Sequence, residues 1–91
     1  MPDTTKLPSA VNAALSTIRA VARTCADGRA RSELEGARFS LYVALEADEL
    51  DNARGWLAAT RANAIAAGEE VRPLVERALA TIEAHLDGAA S

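Results

Sequence analysis

Apolar residues return every third or fourth position from Val11 to Cys25, so that Val11, Ala14, Leu15, Ile18, Val21, Ala22 and Cys25 form one stripe on a helical wheel. Ser9 stands where an N-cap would, and Asp27-Gly28 supplies a stop, which together predict a first amphipathic helix. From Arg29 to Ile65 there is no proline and the only glycines are Gly36 and Gly55, so one long helix has to be weighed against two. Phase decides between them. At 100° per residue Leu34, Ala37, Leu41 and Leu45 cluster near about 140°, whereas Leu50, Ala53, Leu57 and Ala64 cluster near about 290°, and a straight helix would put one set in water. The jump falls across Glu46-Ala47-Asp48-Glu49, where Asp48 and Asp51 are spaced like a capped helix start. A tight turn is expected there, with a second helix from about Arg29 or Ser32 to Ala47 and a third from Glu49 to Ala67. Ser32-Glu33-Leu34-Glu35 reads as a capping box for the second.

Gly68 closes the third helix, and Glu69-Glu70 with Pro73 suit the first turn of a fourth. Its stripe comprises Val71, Leu74, Val75, Ala78, Leu79, Ile82 and Leu86, with Asp87-Gly88 as its stop. Nothing shows strand alternation. The expected fold is therefore all-α, a small antiparallel bundle of about four helices joined as helical hairpins. Residues 9–88 form a single helical domain, 1–8 a disordered lead-in and 89–91 a frayed tail.

Composition changes the picture in one respect. Of 91 residues 49% are hydrophobic, but many are alanine and only Phe39, Tyr42 and Trp56 are aromatic, which predicts a thin core that close packing or self-association would help. The net charge of −3 hides an asymmetry: residues 1–31 carry five basic groups against two acidic ones, and residues 32–91 carry five against eleven. Such a dipole steers partners without specifying a fold. The one cysteine, Cys25, lies on the first stripe and reads as a buried small hydrophobe. The opening residues lack the apolar run of a secretory signal, and no stretch is apolar enough to span a bilayer, so the expected setting is cytoplasmic with no membrane partner.

Candidate chemistry is sparse. The only histidine, His85, has Glu83 and Asp87 two positions away on other sides of the helix, and no Glu-x-x-His pair is present. The acids Glu46, Asp48, Glu49 and Asp51 suit a helix start better than a calcium loop, which needs a central glycine. No phosphate-binding glycine loop, serine elbow or Cys-x-x-Cys occurs. The expectation is no enzyme, no metal and no cofactor, with His85 beside a carboxylate as the remaining catalytic alternative.

Two surfaces stand out. Arg19, Arg23, Arg29 and Arg31 are the candidates for phosphate contacts in a small DNA-associated regulator. Against that reading, Glu33 and Glu35 stand at the start of the following helix, and positive charge is stabilising near the end of the first helix in any case. On the second helix, Phe39, Tyr42 and Val43 fall nearly opposite Leu34, Leu41 and Leu45, so both of its faces are apolar. Trp56, off the main stripe of its own helix, extends the same patch. These four residues are either core beneath the first and fourth helices or a protein interface. The favoured function is a protein–protein interaction module, binding a partner chain or forming a homodimer through that apolar face.

The stretch from Leu41 to Leu57, with a helix end, an acidic turn, a small residue at Ala53 and a large one at Leu57, resembles the middle of a tetratricopeptide unit. The resemblance covers one unit, without the closing proline or a second copy, and it implies a peptide- or protein-binding role.

Overall fold

The computed structural model describes residues 7–90 as four helices: α1 Ser9–Ala22, α2 Gly28–Glu46, α3 Leu50–Ala67 and α4 Arg72–Ala90. α1 packs closely on α2 and α4, α3 packs closely on α2 and α4, and the backbones of the diagonal pairs stay further apart. The helices thus stand in a ring, only 18 Å thick along its shortest axis, and each retains an outward side. Ion pairs nested about the α3–α4 turn, Arg61 to Glu76 at 2.6 Å and Arg54 to Asp87 at 2.9 Å, hold those helices antiparallel. Asn63 Nδ2 donates to the Glu33 carbonyl at 3.4 Å and does the same between α3 and α2.

One core runs through all four helices. Val11 and Ile18 from α1, Leu34 and Leu41 from α2, and Val75, Leu79, Ile82 and Leu86 from α4 are buried almost completely. Ala37 and Ala44 on α2 and Ala53 and Ala64 on α3 are buried with little bulk, which lets the most extensively packed pair of helices approach closely. Among the described residues the one buried polar side chain, Thr60, donates its hydroxyl to the Trp56 carbonyl at 2.7 Å, so its burial leaves no hydrogen bond unmade. Cys25 is buried, although it lies just past the end of α1.

The 150° phase jump does mark a turn, but its residues act differently from the expectation. Asp48 has φ of 57°; its N–H donates to the Leu45 carbonyl at 3.2 Å, and the Glu49 N–H donates to the Ala44 carbonyl at 3.0 Å. This pair of bonds is a Schellman closure of α2, so Asp48 ends one helix where a cap for the next was expected. Aspartate tolerates the left-handed conformation better than most residues, which explains its use there. Asp27-Gly28 likewise begins α2 where a stop for α1 was expected: the Asp27 carboxylate accepts the Arg29 N–H at 3.0 Å. With that cap one turn upstream, Ser32 lies inside the helix and its capping box is unused.

At the other boundaries, α1 starts with Ser9 as its first helical residue after Pro8, without a side-chain cap. Residues 1–6 of the expected lead-in lie outside the described residues, as does Ser91 of the expected tail. Leu7 is buried in the core and so belongs to the folded domain. Glu69 and Glu70 form the turn ahead of α4, and the helix runs through Gly88 to Ala90. A hydrogen bond from Arg72, reinforced by its charge, holds the Glu69 carboxyl below the ordinary glutamate range. Leu74, placed on the α4 stripe by periodicity, is exposed because the α1–α4 packing leaves its side open.

Gly68 terminates α3 at φ 114° and ψ 171°, a region that is open to glycine and strained for any residue with a Cβ. A Cβ there would meet nothing within 4 Å, so the penalty is conformational rather than one of space. Gly68→Ala is expected to lower unfolding free energy by about 1–3 kcal/mol in urea titrations. A variant as stable as wild type would show that the α3–α4 turn readily takes another path.

Candidate interaction surface

Phe39, Val43 and Trp56 converge on the outside of the α2–α3 hairpin. Phe39 and Val43 lie one turn apart on α2, and Trp56 reaches the same place from α3. Together with Ser40, Ala44, Glu49 and Asn52 they line a shallow groove of about 270 Å³. The ring formed by the helices explains their exposure. α2 touches only α1 and α3, so nothing covers its outward side, and Phe39, Val43 and Trp56 remain 55%, 47% and 42% exposed. They are not core beneath α1 and α4.

Tyr42 behaves differently. It is half-buried against the core and is not among the residues lining the groove, with its ring centroid 6.3 Å from that of Phe39 and the planes tilted by 42°. It thus supports Phe39 from the side, as a tilted aromatic pair, instead of lining the groove.

The arginines separate. Arg19 from α1 and Arg31 from α2 line a second, wider depression of about 600 Å³ together with Ser32, Glu35, Gly36, Arg38 and Phe39. Arg23 and Arg29 stand outside it, and Arg29 pairs with Glu33 at 3.2 Å. Among the described residues Arg19, Arg23 and Arg31 have no ion-pair partner, while Arg38 is held by Glu35 through its Nε at 2.7 Å. Sequence reasoning missed Arg38, yet a signal was there: it follows Arg31 by seven residues, two helical turns, and so shares its side of α2. Phe39 lines both depressions and lies between a basic edge on the α1 side and an edge on the α3 side that carries Glu49.

A further groove of about 410 Å³ lies between α1 and α4, lined by Ala10, Ala13, Thr17, Leu74 and neighbouring side chains. Leu74 is its one large apolar group, and most of the lining is small. His85 is half-buried on α4, and among the described residues no group of three or more His, Cys, Asp and Glu side chains could hold a metal ion. No helix among the described residues is long and apolar enough to cross a membrane. Comparison of the chain with protein-family models, with curated proteins and with solved structures gave no match in any of the three.

Proposed function

We propose that this chain is a small protein-interaction module that binds another polypeptide through the outward face of α2 and the adjoining edge of α3. The convergence of Phe39, Val43 and Trp56 on one groove carries this reading. Single exposed apolar residues are ordinary on any surface, but two aromatic groups and a valine meeting at one place, with Tyr42 bracing Phe39, form the kind of preorganised apolar centre on which interfaces rely. The chemistry required is only desolvation of that centre and polar contacts around it. The nucleic-acid reading has less support, because Glu33 and Glu35 stand among the arginines, Glu33 paired with the candidate Arg29 and Glu35 with the neighbouring Arg38.

Photocrosslinking tests the reading. With benzoylphenylalanine in place of Phe39, irradiation in cells is expected to yield a discrete adduct with a polypeptide, whereas the same group at Ile65, which is 58% exposed on α3 outside the groove, yields little. Adducts of equal yield at both positions, or none at position 39, would remove the α2 face as the binding surface.

A further inference from the structure

We infer that the occupant of this face is a second copy of the chain, packed across a two-fold axis beside Phe39 so that the basic edge of each protomer meets the acidic corner of the other. The inference rests on the interaction reading above and adds the identity of the partner. Its support is the charge layout around the apolar centre. Arg31 lies eight residues before Phe39, about 12 Å along α2, and with Arg19 it makes a basic edge without ion-pair partners among the described residues. At the other end of α2, Glu46, Asp48, Glu49 and Asp51 crowd the α2–α3 turn, and Glu49 lines the groove with Phe39 and Trp56. Glu49 accepts a hydrogen bond from the neutral Asn52 amide at 3.0 Å, which leaves its negative charge in place.

A surface with a basic edge, an apolar middle and an acidic corner is complementary to itself. A two-fold axis that passes beside Phe39, perpendicular to the line joining basic edge and acidic corner, carries each onto the other and stacks the two Phe39 regions at the centre. The α2 helices then cross in opposite senses, and each protomer contributes the same patch, as an isologous interface demands. An acidic partner of another kind would meet Arg19 and Arg31 but bring like charge to Glu49, and a basic partner would do the reverse. The second copy answers both ends at once.

Sedimentation equilibrium of the full chain from low micromolar to millimolar concentration tests this, with circular dichroism confirming helix content in each sample. Wild type is expected to move from 9.5 kDa toward twice that mass as concentration rises. Phe39→Glu should weaken the dimer by about a hundredfold or more, as expected for a charge placed at an interface centre. Arg31→Glu and Glu49→Arg should each weaken it by about tenfold, since each turns two attractive rim contacts into repulsive ones. An equimolar mixture of those two variants should recover the wild-type midpoint, because every contact between unlike chains is again a pair of opposite charges. That recovery does not depend on how Phe39→Glu folds.

A monomer at every concentration would overturn the second-copy assignment, and a position-39 crosslink to a different polypeptide would then show the interaction reading still standing. A dimer indifferent to folded Phe39→Glu would overturn the second-copy assignment at this face, and the absence of a position-39 crosslink would then remove the interaction reading as well. A dimer lost with Phe39→Glu but unmoved by either charge reversal would overturn the two-fold arrangement.

Discussion

Leu41→Ala is expected to lower the unfolding free energy by about 3 kcal/mol, whereas Phe39→Ala, two residues away on the same helix, costs less than about 1 kcal/mol. Leu41 is fully buried, and removing its isobutyl group costs both the transfer of that group from water and the cavity left behind. Phe39 is 55% exposed, so truncation uncovers little and opens no internal void. The contrast is sharp because a domain of this size has only about 5–10 kcal/mol of stability in total. Urea denaturation followed by helical ellipticity measures both changes, with the slope serving as a check that unfolding stays two-state. Equal costs at concentrations where the chain is monomeric would mean that Phe39 is packed within the monomer, which would place the apolar face inside the domain and end the interface reading.

Ala53→Leu is the second large effect, and it opposes the usual preference for hydrophobic bulk. Ala53 is wholly buried on α3, the helix most extensively packed on α2. A leucine there adds three carbons at a wholly buried position, which is expected to make the helices separate or side chains leave their rotamers, at a cost of about 1–3 kcal/mol. Two residues on, Gly55 lies in the middle of the same helix with nothing within 4 Å of where a Cβ would stand. Gly55→Ala is therefore expected to stabilise by about 0.5–1 kcal/mol through helix propensity alone. Thermal and urea melts of the two variants, compared with wild type, give opposite signs if α3 presents Ala53 inward and Gly55 outward. A stabilised Ala53→Leu would reveal slack in the α2–α3 contact.

The two variants also bear on why this core works with so few large side chains. Alanine at Ala37, Ala44, Ala53 and Ala64 gives up burial per residue in exchange for close approach of the helices. The resulting bundle is thin, and four helices of this length leave the outside of α2 uncovered. Dimerisation across that face would add apolar burial where the monomer lacks it. Stability and function would then draw on the same residues.

Much of the architecture was legible along the chain. The stripe from Val11 to Val21, the reversal of phase between Leu45 and Leu50 and the Gly68 stop each depend on residues within a few turns of one another, and the helical period is a local property of the backbone. Which residue ends a helix and which starts the next was harder to read. Asp27 and Asp48 are the same residue type beside similar turns, yet one caps a beginning and the other closes an end. The difference lies in φ and in which amide reaches which carbonyl, and composition does not carry it.

The candidate surface divides in the same way. From sequence alone came the list of residues: a second helix with apolar groups on both sides, Trp56 off its stripe, and a basic leading segment. Whether Phe39, Val43 and Trp56 were core or surface depended on whether another helix covers that side of α2, and the ring arrangement, in which α2 packs closely only on α1 and α3, left them facing outward. The same arrangement brought Arg19 beside Arg31 and Arg38, left Arg23 and Arg29 outside, and turned Tyr42 toward the core. Periodicity determines which side of a helix is apolar because that is set within a few turns; which apolar side is covered is set by neighbours distant in the chain, and only the tertiary structure contains them.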